Sequence, residues 1–426
     1  MNQPTTNAAR RPGGRNSGLK MGLVTLGVLA FAGAFLGFME IDPNVSIPAP
    51  KPPPSPNAMD DYLKAGALLM DDNLFDAAHP PGTSASAALT PAVQDRILNH
   101  NAPAMAALHQ GLMHEFQMWP PRSFIGFPKY RKTARYLAFQ RDVHATRGDW
   151  GAAMQTTLDG LQMGSDMRRG GGLIPTLFGV TVGAISRDPR YHIIDHLSPE
   201  ETKAAFERIH AINANRVTLA QMLQQDEWDR QTDLMAQFQH PNWRSQLAAG
   251  AMPSGNSTPP PFLSYTLRSK RSVMQHYTRY MDAAVVAARA RRPIAPYATH
   301  TPRSLDDMVI IDVSEIQQKY NSDVTQNNFL ELQLALRAYK FQHGSYPETL
   351  GALTPDLETA IPDDPFAPGK PFHYQKTANS YVLYSVGPDG VDDGGKAIDN
   401  FGHVQPYLRR VALSDSKGDV VAGVNE

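Results

Sequence analysis

The sequence predicts an α+β protein that is mainly α: an N-terminal transmembrane helix, an irregular helical bundle, then a long helix packed on a small antiparallel sheet. Three observations predict it. The stretch Met21–Met39, "MGLVTLGVLAFAGAFLGFM", carries no charge and is about long enough to cross a bilayer core as a helix. From about Met59 to about Arg292 apolar residues recur at three- and four-residue spacing, the period of a helix surface. Beyond that, Phe329, Leu332, Leu336 and Tyr339 share one helical face, and two short runs rich in aromatic and β-branched residues follow in the pattern of a hairpin.

The N-terminus is the first element. Residues 1–20 form a basic tail with Arg10, Arg11, Arg15 and Lys20 and no acid, whereas Glu40 and Asp42 lie beyond the apolar span. Positive charge on the N-terminal flank orients the 21–39 anchor with its N-terminus in the cytoplasm and the chain after residue 40 outside. A cleaved signal peptide is the competing reading, since Ala30-Phe-Ala32 and Ala32-Gly-Ala34 have the small-x-small form. The apolar stretch runs on through Leu36 and Phe38, which favours an uncleaved anchor.

Residues 40–58 contain "IDPNVSIPAPKPPPSPN", a proline density that favours an extended, semi-rigid spacer. Residues 59–292 form the helical domain. Its clearest part is Tyr130–Asp188, where Ala134, Leu137, Ala138, Arg141 and Ala145 mark one helix, Gly148-Asp149 a turn, and Ala152, Ala153, Leu158 and Leu161 the next. A third helix follows over Leu173–Ile185. The hairpin resembles one tetratricopeptide-type unit, but no second copy recurs at a fixed period, so an irregular bundle is expected. Ser198-Pro-Glu-Glu201 carries a cap, a proline at the first helical position and a capping-box glutamate. Further helices are expected over Asn213–Phe238 and Ser264–Ala290, parted by the loop Pro253–Pro261. Residues 293–324 read as a linker and helix start, 325–410 as an α+β module, and 411–426 as a flexible tail.

Composition bounds the function classes. With 426 residues the chain is long enough for more than one domain, and a formal net charge of −1 gives no bulk attraction to nucleic acid. Hydrophobic residues make up 42% and charged ones 19%, enough to bury a sizeable core despite 35 prolines. The absence of cysteine excludes disulfides, thiolate metal sites and a cysteine nucleophile, and leaves the redox compartment open.

Within the module, Tyr339, Gly344-Ser-Tyr-Pro347, Asp364-Pro365, Tyr374, Tyr381 and Ser385-Val-Gly-Pro-Asp-Gly390 occur in a fixed order. Leu334–Gly395 thereby resembles the C-terminal globular domain of the major pseudopilin of type II secretion systems. The whole chain is similar to bacterial proteins that join an N-terminal anchor and a helical domain to this module. The resemblance implies a location in the bacterial inner membrane, with the bulk of the chain periplasmic. It also implies that the acidic loop binds calcium and so orders the C-terminal region. The chain departs from the family in that Glu40 follows the apolar span and about 290 residues intervene before the module, so filament assembly through the hydrophobic helix does not carry over.

The calcium candidates are Asp389, Asp392 and Asp393, with Asp399 placed to close the ring if the chain curls back, and Ser385 at the head of the turn. Calcium takes six to eight oxygens from carboxylates, carbonyls and water, and Gly387, Gly390, Gly394 and Gly395 let carbonyls turn inward. The spacing is not that of an EF-hand, and acidic glycine-rich turns are usually solvated.

Other motifs carry weaker signals. His192 and His196, with Asp195, have helical metal-pair spacing but lack an evident third ligand. Met167–Leu173, "MRRGGGL", offers two arginines and loose amides, although an inter-helix turn explains them as well. His114 begins "HEFQM", which lacks the second histidine of a zinc protease helix. Ser414-Asp-Ser-Lys417 has a hydrolase-like serine–lysine spacing in a polar tail. Trp228 suits a partner anchor or a core position, and Leu267–Ser272 a solvated basic face. The sequence thus points to a membrane-anchored interaction or structural protein without catalysis, whose partner is a protein or envelope component. The alternative is an envelope hydrolase or ligand-binding protein with its site in the helical domain.

Overall fold

The computed structural model describes residues 31–422 except 32–33, 36, 71, 76–88, 120–125, 188–191, 251–267, 298–303, 355–359 and 399–415. Helices start and stop where the cap chemistry sets them. At Ser198 the hydroxyl accepts the amide of Glu201 at 3.2 Å while the Glu201 carboxylate accepts the amide of Ser198 at 2.8 Å, closing both halves of the capping box. Asp149 caps the second helix of the hairpin by accepting the amide of Ala152, after Gly148 has turned the chain at φ 76°. Gly344, at φ 79°, stops the longest helix with its amide bonded to the Lys340 carbonyl.

Among the described residues the helices of two turns or more are α1 (Ala58–Leu68), α2 (Pro91–His100), α3 (Ala102–Gly111), α4 (Phe127–Thr146), α5 (Trp150–Asp166), α6 (Leu173–Ser186), α7 (Pro199–Ala214), α8 (Leu219–Phe238), α9 (Trp243–Gly250), α10 (Lys270–Arg289) and α11 (Ser314–His343). Strands β1 (His373–Lys376), β2 (Tyr381–Ser385) and β3 (Val420–Val421) form an antiparallel sheet in the order β1-β2-β3. The fold is therefore mainly α with a small antiparallel sheet, as the periodicity predicts. One difference concerns residues 411–426, read from sequence as a flexible tail. Val421 pairs with Tyr384 and Val420 with Ser385, and Ser416 and Asp419 are fully buried. A two-residue strand is too short to show a period, so pattern reading passes over it.

The chain divides into two compact units. One comprises residues 1–46, 233–278 and 299–310. Here Phe238 meets Trp243 edge to face, and Glu40, just past the predicted anchor, accepts the Trp243 indole N–H at 3.1 Å and pairs with Arg244 at 2.6 Å. Lys270 donates to Asp42 at 2.9 Å. Most of Met21–Met39 lies outside the described residues. Among the described residues no helix is long and apolar enough to cross a membrane.

The other unit comprises residues 47–232, 279–298 and 311–426 and holds two cores. One packs α1, α3 and α4 around Tyr62, Leu108 and Tyr130. The other runs without a break from the helical bundle into the sheet: Leu158 and Ile209 join Phe329, Leu332 and Leu336 of α11, which meet Phe372, Leu383 and Val420. The helix α11 is thus buried by α6 and α7 and by the sheet module. Helices α5 and α6 approach closely because Gly164 has no side chain, and a methyl there would lie 2.7 Å from the Gly179 carbonyl.

Candidate functional site

The turn after β2 is built by glycines in the left-handed region, Gly387, Gly390, Gly394 and Gly395, as the sequence leads one to expect. Its acids do not meet at one point. Asp389 accepts the amide of Val391 at 3.3 Å and lies 3.7 Å from Lys417. Asp392 accepts the Tyr384 hydroxyl at 3.1 Å and the Gly394 amide at 2.9 Å, and stands 3.4 Å from His373. Asp393 is exposed. Asp399 lies outside the described residues. Among the described residues no group of three or more histidine or acidic side chains is arranged to hold a metal ion.

The organising group is one that sequence reading missed. Asp419, fully buried, accepts the amides of Asp393 at 3.1 Å and Gly395 at 2.7 Å. Burial pushes its carboxyl up, the two amides pull it down, and the charges of Asp392 and Asp393 push it up again, leaving it above the usual range. The carboxylates and left-handed carbonyl turns are the hard oxygen donors that calcium takes. Their chemistry fits the ion, while the side chains stand apart.

Ser385 is used elsewhere. Its hydroxyl donates to Asp364 at 2.7 Å, and Asp364 also accepts the amides of Val386 at 3.1 Å and Phe366 at 2.9 Å. Desolvation raises the Asp364 carboxyl above its ordinary value against these bonds. The Asp364-Pro365 motif is therefore a buried peg that ties the loop before β1 to the end of β2. Tyr374 does the same for the start of the module, its hydroxyl donating to the Pro347 carbonyl at 2.8 Å.

The other sequence candidates are dispersed. His196 stacks on Trp150 at 4.0 Å in a 3-10 turn, so His192 and His196 do not share an α-helical face. His114 bonds Asp61 at 2.7 Å. The anions near "MRRGGGL" are the chain's own: Asp226 accepts the Leu173 amide at the head of α6, and Arg168 pairs with Asp323. Trp228 is half-buried, while its neighbours Glu227 and Asp229 are buried. Within the basic run, Arg268 pairs with Asp306 at 3.2 Å and Lys270 with Asp42. Ser414 lies outside the described residues.

A cavity of about 550 Å³ opens where the first turn of α8, the end of α10, α11 and the Pro362–Pro368 loop meet. Arg216, Arg289 and Arg291 line it, with Tyr320, Asn321 and Asn328 from α11. Arg291 pairs with Asp363 at 2.9 Å. The Asn321 side chain donates to the Pro365 carbonyl at 3.2 Å, and Tyr320 donates to the Val217 carbonyl at 3.1 Å, fixing two walls. No family model, curated protein or solved structure matches the chain.

Proposed function

We propose that the protein is a single-pass bacterial inner-membrane protein, N-terminus in the cytoplasm, whose periplasmic part is a non-catalytic interaction or structural component of the envelope with a calcium-ordered, pseudopilin-like C-terminal module. The reading of the anchor is supported by Phe31, Phe35 and Phe38, which sit at helical spacing and stay 75%, 42% and 55% exposed at the end of the uncharged stretch. The calcium reading rests on the acidic turn. Asp392 and Asp393 crowd the buried Asp419, and a divalent cation shared by exposed carboxylates would relieve that repulsion while fixing the turn onto β3. Asp389, Asp392 and Asp393 would supply the carboxylates, since Ser385 is occupied with Asp364.

The test uses the full-length protein in detergent. Millimolar calcium should slow proteolysis of the segment after β2 and raise the melting temperature, with magnesium doing neither. Unchanged cleavage and melting would remove calcium from the reading. One observation favours the alternative, ligand-binding reading: the 550 Å³ cavity is of the size that holds small molecules. It is bordered by the helical domain and the module together.

A further inference from the structure

A guanidinium taken out of water without a carboxylate partner is costly unless an anion completes it, which bears on the half-buried Arg216, while the exposed Arg289 is free to close over a ligand from the rim. Arg291 is matched by Asp363, whereas among the described residues no carboxylate lies within ion-pair distance of Arg216 or Arg289, although the Arg289 charge acts on Glu227 from farther off. The only hydrogen bond of Arg216 within the described residues goes to the Asn328 side-chain oxygen at the long distance of 3.5 Å. Arg289 donates to the Gln224 side-chain oxygen at 3.1 Å, a neutral partner. Behind them, Arg168 and Arg187 share the buried carboxylate of Asp323, and the Arg168 charge acts on Arg216.

Two more features set the sign. Desolvation and the Arg168 charge lower the Arg216 guanidinium from its usual range against the pull of Tyr320, Asp323 and Glu331, which a bound anion would reverse. Thr218 caps α8, its amide donating to the Gln221 side-chain oxygen at 2.8 Å, and the amides of Leu219 and Ala220 in the first turn stand at the positive end of the dipole without partners within the helix. The remaining wall sets apolar Leu219, Val324, Pro362 and Pro365 beside two acids already engaged, Asp363 with Arg291 and Asp364 with Ser385 and the Val386 amide.

We propose that this cavity binds a small organic anion, its carboxylate or phosphate held by Arg216 and Arg289 and its apolar body lying against Val324, Pro362 and Pro365. The arginines explain the head group and the prolines the body. Two guanidinium forks suit a planar or tetrahedral oxyanion, and a cavity of this size takes a ligand far larger than the bare ion. The proposal rests on the ligand-binding reading of the cavity and is independent of calcium.

The experiment is titration calorimetry and thermal shift on the full-length protein in detergent, with phenyl phosphate, phenylacetate, inorganic phosphate and neutral benzyl alcohol as probes. One or both organic anions should bind more tightly than inorganic phosphate and benzyl alcohol, and the tighter of the two names the head group. Arg216→Gln and Arg289→Gln should each weaken that binding about tenfold to a hundredfold, while Arg147→Gln, which removes a surface pair with Asp95 away from the cavity, should not. Arg289 is exposed, so its variant reports even if Arg216→Gln fails to fold. Binding of benzyl alcohol equal to that of the anions would overturn the anion class and leave a ligand cavity. Binding of no probe would overturn both, and so would a response that sodium chloride of equal ionic strength reproduces.

Discussion

Arg168 and Asp323, 155 residues apart in the chain, form a salt bridge whose two side chains are 2% and 1% exposed. Arg187 reaches the other oxygen of the same carboxylate and also donates to the Asn327 side-chain oxygen. Three segments that sequence reading treats separately, the "MRRGGGL" turn, the end of α6 and the first half of α11, are thus joined at one acid. The arrangement explains why α11 is a structural axis of its unit as well as the opening helix of the C-terminal module.

Asp323→Ala should take the counter-charge from the buried Arg168 guanidinium, a loss of about 3–5 kcal/mol for a broken buried pair. Urea unfolding of the full-length protein checks it, and a midpoint within error of the parent would show that water reaches the site. The pH dependence has a definite sign. Burial pushes the Asp323 carboxyl up, but Arg168 and Arg187 outweigh it and hold the group below its ordinary value. A carboxyl lowered on folding contributes stability above its unfolded value, about 3.9, and loses it as pH falls through the lower folded value. Asp323→Asn should remove that acid-side loss.

Glu227 carries the opposite dependence. Burial first, and then the charge of Asp282, raise its carboxyl from 4.5 to about 7, against the Gln224 hydrogen bond, the Arg289 charge and the Gln231 hydrogen bond. Between those values the unfolded chain gives up a proton that the folded chain keeps, so stability declines as pH rises through the window. Glu227→Gln should match the parent at pH 4 and exceed it at pH 8 by roughly 1–3 kcal/mol. Guanidinium titrations at the two pH values decide it; equal gains at both would mean that packing, not charge, is responsible.

Ser198→Ala removes one half of the capping box on α7 and should cost about 1 kcal/mol, with Ser198→Asp recovering most of it. The helix packs its Ile209 face in the core shared with the sheet, so the loss should appear in global unfolding. Hydrogen exchange confined to the first turn, with no change in global stability, would contradict that coupling.

Local signals carried well because their physics is local. The capping box, the Gly148-Asp149 turn and the hairpin of β1 and β2 each depend on residues within a few positions, and they stand where the sequence puts them. What escaped notice depends on distance along the chain. Ser385 reads as a metal ligand beside the acids, but its partner is Asp364, 21 residues earlier. Arg168 reads as one of two loose cations in a glycine turn until α11 brings Asp323 to it. Arg216 and Arg289 carry no motif, since a cavity wall made from two helix ends and a proline loop has no period to detect. Asp419 lies in a stretch that composition marks as a tail, and only its burial against β2 gives it a role.

Asp419 is where the acidic turn can be tested most sharply. Its partners, the amides of Asp393 and Gly395, lie 26 and 24 residues before it, so the bonds close β3 onto the turn. Because its carboxyl is raised in the folded chain, by burial first and by Asp392 and Asp393 as well, stability is lost as pH climbs above the usual carboxylate range. Without calcium the turn should therefore become more susceptible to proteolysis between pH 4 and pH 7.5. Calcium acts on the same charges, so its protective effect should grow over that interval, being smallest where the carboxylates are protonated. Asp419→Asn keeps one oxygen acceptor and removes the charge; it should flatten the pH dependence and reduce calcium protection several-fold. Protection of equal size at both pH values would mean that calcium acts on some other part of the chain.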